Sequence, residues 1–224
     1  MKTKLIFIVS ILLFSATFVD AQDTQKTSFG ILGGVNFQNL NGKDASGNTL
    51  ENELITGYHV GVNIQIPLAP EFYFQPGVMF STKGAKNNGS LLSTTTKLMY
   101  VEVPLNLVYK GLLGKGHIMI GLGPYVAYGI SGNVKIESDL ISANPDIEFK
   151  NVVDIEDDPL TVPYYKPLDV GGNIFFGYEM AGGIFVQLNA QLGMLEINPE
   201  YEIMPNDESS VKNTGFGISL GYRF

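Results

Sequence analysis

The sequence contains no cysteine. No disulfide and no thiolate metal site can therefore form, and a lipid anchor on a cysteine after a leader is excluded. Basic residues are few: 14 Lys and Arg stand against 22 Asp and Glu, a formal net charge of −8. That balance offers no basic face for nucleic acid. It leaves a membrane open, because a barrel is held in lipid by apolar area rather than by charge. There is also no apolar run long enough to cross as a helix. The longest, Leu5 to Val19 at most, falls short of the ~20 apolar residues a helix needs, and polar Asp20-Ala21-Gln22-Asp23 follows at once.

That run reads instead as the core of an export signal. Lys2 and Lys4 form a positive n-region, Leu5 to Phe14 is apolar, and Val19-Asp20-Ala21 is a small-residue cleavage site before Gln22. The expected organisation is a signal peptide at 1–21 and a single domain at 22–224. Losing Lys2, Lys4 and Asp20 makes the mature chain about one unit more acidic. Without disulfides, an exported domain of this size needs a large core or another closed hydrogen-bonded structure.

What the chain has in quantity is glycine and aromatics: 26 Gly, 11 Tyr and 14 Phe. Gly stands well above its average share of about 7 per cent, and inside strands it marks close backbone approach or tight curvature. The second signal is period two. At the C-terminus Phe216, Ile218, Leu220, Tyr222 and Phe224 alternate with Gly215, Gly217, Ser219, Gly221 and Arg223. In a strand these sets face opposite sides. Glycine and small polar groups suit the crowded inside of a narrow closed barrel better than a face open to bulk water.

Seven further segments alternate likewise, around Phe29–Phe37, Tyr58–Ile66, Phe72–Phe80, Met99–Tyr109, Ile118–Ile130, Val170–Tyr178 and Ile184–Leu192. None of the eight apolar faces carries Asp, Glu, Lys or Arg. A Lys or Arg facing lipid at mid-depth costs about 2–4 kcal/mol, so a lipid-facing side must stay clean. Each run is also long enough to cross, since a tilted spanning strand needs about 9–11 residues. The links at 67–70, 111–114 and 180–182 are short, whereas 40–53, 84–96, 131–167 and 196–211 read as long. Short periplasmic turns alternating with long outer loops fit an outer-membrane barrel with both ends in the periplasm. The expected fold is thus all-β: a transmembrane antiparallel up-and-down barrel of eight strands, closed because lipid leaves an open edge unpaired.

The stretches FGILGGVNFQNL (29–40), GYHVGVNIQIPLAPEFYFQPGVMFSTKGAK (57–86), YVEVPLNLVYKGLLGKGHIMIGLGPYVAYGISGN (100–133) and KNTGFGISLGYRF (212–224) resemble the PorT-like outer-membrane β-barrel family of Bacteroidetes. QPG, VEVPLNL and GLGPYVAYG are the most specific pieces, and the third long loop has no match. The resemblance implies an eight-stranded barrel in a Gram-negative host. It does not imply the founding member's role in secretion. Phe224, with Tyr222 two residues before it, looks like the terminal signal read by the barrel-assembly machinery.

Residues with chemistry are sparse. His59 sits on an inward face near the outer end of the second strand and is the one candidate for catalysis with a Ser or Asp partner. A histidine hydrogen-bonded in a polar lumen is the favoured reading. His117 lies beside a periplasmic turn without a partner cluster. Lys83, Glu102, Lys110, Asp169, Glu179 and Arg223 fall on inward faces, as a polar channel or as an ion-paired plug. Eight strands leave room only for side chains, and Tyr73, Tyr100, Tyr125 and Phe185 point inward as well, which favours the plug. The 131–167 loop carries Glu137, Asp139, Asp146, Glu148, Asp154, Glu156, Asp157 and Asp158. It lacks the spacing of a calcium loop and reads as a solvated acidic segment, although loops of this length are usually functional or disordered. Val152, Val153, Ile155 and Val162 suggest strands extending into it as an exposed sheet with an adhesive edge.

No catalytic, cofactor-binding or metal-binding residue is assigned, and no enzyme is expected. The function expected is that of an integral outer-membrane barrel with surface loops for binding or a structural envelope role. Alternatives are a narrow pore for small solutes or an accessory subunit of a secretion system. The partners expected are outer-membrane lipid, the assembly machinery during biogenesis, and an extracellular or envelope protein.

Overall fold

The computed structural model describes residues 26–89, 92–138, 142–154, 156–158, 161–202 and 209–224. The signal expected at 1–21 lies outside the described residues. Eight long strands carry the fold: β1 (Ser28–Lys43), β2 (Ile55–Ala69), β3 (Phe72–Asn88), β4 (Ser93–Leu113), β5 (Gly116–Glu137), β10 (Leu168–Glu179), β11 (Ile184–Gly193) and β13 (Ser210–Arg223). Short strands β6 (Ser142–Ala143), β7 (Glu148–Phe149), β8 (Val152–Val153), β9 (Tyr164–Tyr165) and β12 (Glu200–Tyr201) lie in the outer links. Each long strand pairs antiparallel with its neighbours, β5 pairs β10, and β1 pairs β13 from Gly30↔Arg223 to Lys43↔Ser210. The last pairing closes the ring. In hydrocarbon each unpaired backbone group would cost several kcal/mol, and closure removes every edge.

The alternation expected from the sequence decides the two surfaces. Phe29, Val62, Leu107, Leu122, Ile174, Leu188 and Leu220 are exposed on the outside, whereas Asn36, Gln65, Gln75, Glu102, Asn106 and Asp169 are buried inside. A protein with oil outside and amides inside is turned out relative to a soluble one, as lipid requires. Inward glycines make the narrow interior possible. A Cβ on Gly121 would lie 2.2 Å from the Phe175 ring, and one on Gly221 would lie 2.2 Å from the Phe185 ring. The rings fill the lumen because those positions have no side chain.

The strands run well beyond the membrane-facing band, and this corrects the expected loops. The link read as long at 84–96 is mostly strand: Lys83↔Leu98 through Asn88↔Ser93 continue the β3–β4 ladder. Outside hydrocarbon the outward residue no longer has to be apolar, so Lys86, Asn87 and Thr94 keep pairing while the hydrophobic pattern ends. Strict alternation of short and long links therefore fails at this position. A register shift at Met99/Tyr100 marks where β5 passes from the band into its outer extension.

The 131–167 link is also corrected. It is more than a solvated acidic loop, and the barrel strands extend only into its first part, where β6 pairs with β5. β5 runs on to Glu137, and the remainder folds as a cap over the outer mouth. Ile147, Val153, Tyr164 and Ile197 are buried, Ile147 and Ile197 in one cluster with Leu98, Tyr100, Tyr125 and Val134. The sheet expected through Val152 and Val153 exists as a two-residue parallel pairing of β8 with β12, and β7 pairs parallel with β9. Val153 is covered rather than exposed. Asp139 and Ile155 lie outside the described residues. The acids Asp146, Glu148, Asp154, Glu156 and Asp158 remain on the solvent side of the cap.

Candidate functional site

The lumen is the only place where the barrel gathers charge away from water among the described residues. Near its outer end β3 supplies Lys83, β4 supplies Glu102 and β10 supplies Asp169. The Lys83 Nζ lies 3.0 Å from Glu102 Oε2 and 3.0 Å from Asp169 Oδ2, and all three side chains are fully buried. Asn213 Nδ2 donates to Asp169 Oδ2 at 2.9 Å, Tyr125 OH donates to the same carboxylate, and Gln191 Nε2 donates to Glu102 Oε1 at 2.5 Å. The ammonium also sits 4.1 Å from the centre of the Tyr125 ring. Charges this deep persist only when paired and hydrogen-bonded. Six strands contribute to the knot, so it ties the ring across its diameter.

A second knot occupies the periplasmic end with the opposite balance. Glu179 on β10 accepts from Lys110 Nζ at 2.6 Å and from Arg223 Nε at 3.0 Å. The guanidinium goes on to Asn63 Oδ1 at 3.0 Å and Gln75 Oε1 at 3.3 Å, and stacks 5.2 Å from the Phe185 ring. A vestibule of about 440 Å³ bounded by Lys26, Tyr73, Lys110, Glu179 and Arg223 opens below it. Leu32, Val108, Met119, Phe175 and Phe185 pack as an apolar plug within the barrel.

The lumen also holds a cavity of about 40 Å³ lined chiefly by Asn63, Gln75, Asn106, Asn173, Gln187 and Gln191. Leu32, Val62, Met79, Pro104 and Phe175 share the lining with these amides, and its size suits one to a few water molecules and nothing larger. All six inward charges expected from the sequence are thus brought into two plugs, three in each. His59 is buried, and its Nε2 lies 2.6 Å from Ser219 Oγ, which donates to Asn189 Oδ1 at 3.2 Å. A serine–histidine contact exists, but the serine is committed to an amide and faces the small cavity rather than a mouth. His117 is paired in register with Leu112 and Glu179 at the periplasmic end and, among the described residues, joins no such network.

What the sequence reading missed is the cap that seals the outer knot. Ile197 donates its N–H to Val211 O at 2.8 Å and accepts from Lys166 N–H at 2.7 Å, so two outer links and the start of β13 meet at one residue. Its signal was faint: a few apolar side chains scattered through two acidic links. Lys150 pairs with Asp157 on the cap, and the Asp154 N–H donates to the same carboxylate at 2.9 Å. The Lys150 hydrogen bond is the largest cause holding the Asp157 carboxyl below its usual range, and it raises Lys150. In the first outer link, the backbone N–H of Asn48 is the main cause lowering Asp44.

With this geometry in place, comparison with known proteins is informative for family. A family model described as outer membrane protein beta-barrel domain matches residues 20–197. No curated protein matches the sequence. Among solved structures, the attachment invasion locus protein Ail of Yersinia pestis is similar at 13% identity and a TM-score of 0.41, over 89% of this chain and 100% of that one. Neisserial surface protein A gives 9% and 0.46 over 89% and 100%. OprG from Pseudomonas aeruginosa gives 12% and 0.45 over 92% and 99%.

Proposed function

Because the chain belongs to the outer membrane protein β-barrel family, we propose that it is a sealed, non-conducting and non-enzymatic barrel whose work is done by its capped outer face. The observation that carries this reading is the double closure of the lumen. One buried ion cluster lies under the cap, another lies at the periplasmic mouth, and only about 40 Å³ remains in the cavity. Solute passage would require both knots to open, and buried charge pairs lose about 3–5 kcal/mol when one partner is removed. A pore is therefore disfavoured by energetics as well as by width.

The decisive measurement is a planar-bilayer recording of the folded protein. Silence at all voltages supports the sealed reading, and reproducible steps overturn it in favour of a narrow pore. The absence of an enzyme role rests on the enclosure of His59 and Ser219, out of reach of any substrate. The finer assignment to a PorT-like group of Bacteroidetes rests on the VEVPLNL and GLGPYVAYG segments. Co-purification with secretion components would support an accessory role, and its failure would leave the cap as a docking face for an extracellular or envelope protein. Export through a signal at 1–21 is tested by sequencing the mature N-terminus, expected at Gln22. Recognition of the Tyr222–Phe224 end by the assembly machinery is tested by deleting Phe224, which should slow insertion.

A further inference from the structure

The apolar sides of the strands end against a repeated residue. Moving outward along each strand, the first charge beyond the apolar side, setting aside inward side chains, is Lys43 on β1, Lys86 on β3, Lys97 on β4, Lys135 on β5 and Lys212 on β13, with Lys166 just outside β10. Only β2 and β11 meet an acid first, Glu53 and Glu196. In a chain with a net charge of −8, lysine would not gather at one height by composition alone.

Three of these lysines share a patch. Lys86 is in register with Thr95, Thr95 is in register with Lys135, and Lys97 lies two residues nearer the membrane on the middle strand. Lys97 is exposed, directly beyond the lipid-facing Met99 and Val101. Among the described residues no ion pair engages Lys86 or Lys97, while Lys135 shares Glu137 at 2.7 Å with both half exposed. Glu53 bridges Lys86 through the backbone, and its carboxylate accepts from Asn88 Nδ2 at 2.8 Å. The patch keeps an excess of positive charge.

We propose that the Lys86–Lys97–Lys135 patch binds the phosphate groups of an outer-leaflet glycolipid. Height selects this occupant over a soluble polyanion. The lysine stems continue the apolar side while the ammonium groups reach headgroup depth, and each lysine near an anionic membrane surface adds attraction. The acidic outer surface beyond the patch repels a soluble polyanion approaching from outside. The inference rests on the outer-membrane placement and is independent of whether the lumen conducts.

The test uses the full chain folded in mixed micelles, with folding verified by heat-modifiable migration. Its probes are lipopolysaccharide, the same lipid after enzymatic dephosphorylation, and soluble heparin, with retained lipid counted by native mass spectrometry. The triple variant K86Q/K97Q/K135Q is expected to bind lipopolysaccharide about a hundredfold more weakly, whereas Lys115→Gln at the periplasmic turn changes nothing. The wild type should retain dephosphorylated lipid no better than the triple variant retains the intact one. Equal retention by the triple variant, indifference to dephosphorylation, or heparin binding that lipopolysaccharide does not compete away overturns the proposal. If the triple variant does not fold, Lys97→Gln alone should show a loss of about fivefold, and no loss overturns it equally.

Discussion

The two ends of the lumen solve one problem with inverted charges. At the outer end one ammonium, Lys83, lies between two carboxylates, and nothing of the three side chains reaches solvent. At the periplasmic end one carboxylate, Glu179, lies between two cations, and its side chain stays 10% accessible above an open vestibule. The outer knot is sealed because the cap covers it; the inner one has only the small turn at 180–183. A charge knot under a lid is all-or-none, since a lost partner cannot be replaced by water. One at a mouth can be partly solvated when it breaks.

This comparison predicts the effects of substitution in order of size. Lys83→Met leaves Glu102 and Asp169 buried together without a counter-ion. Urea unfolding of the lipid-folded protein should show a loss of about 3–5 kcal/mol. A loss below about 1 kcal/mol would break the contrast. Ile197→Ala, which empties a fully buried site where the cap joins β13, should cost about 2–4 kcal/mol. Hydrogen exchange should rise across 145–153 and 164–166 while the β1–β13 amides stay protected. Uniform exchange through the barrel would mean that cap and barrel are one cooperative unit.

Glu179→Gln at the open end should cost less, about 1–3 kcal/mol by the same unfolding measurement. If it equals the Lys83 variant, the cap does not account for the difference. The smallest effect is acid loosening of the cap. The Asp157 carboxyl is held below the ordinary aspartate range of about 4, first by Lys150. Its contribution is therefore complete above that range and is lost as pH falls through the depressed folded value. Limited proteolysis near 150–158 should rise only at such acidity, and Lys150→Gln should move that rise to higher pH. Cleavage insensitive to the substitution would detach the pair from the cap.

The sequence made the barrel readable because one physical demand acts on every spanning residue. Each outward side chain in hydrocarbon must be apolar, so Ile118, Ile120 and Leu122 announce themselves without knowledge of their neighbours. Inward charge was readable by the same parity: Glu102 alternates with Val101 and Val103, and Lys83 continues the inward series of Tyr73, Gln75 and Ser81. Which of the six charges would meet was not readable. Lys83 and Asp169 are 86 residues apart, and only closure and register bring them within reach. Beyond the band the demand lifts. The β3–β4 extension through Lys86 and Thr94 then looks like loop, and the cap's few buried residues look like scatter among acids.

The pattern of side chains by itself determined an eight-stranded ring with oil outside and polar groups within, because lipid imposes that rule locally, residue by residue. The tertiary structure alone decided that the polar groups form two separate locks, that a cap covers one of them, and that the enclosed cavity is too small for a solute. Those outcomes depend on contacts between distant segments, which no local rule encodes.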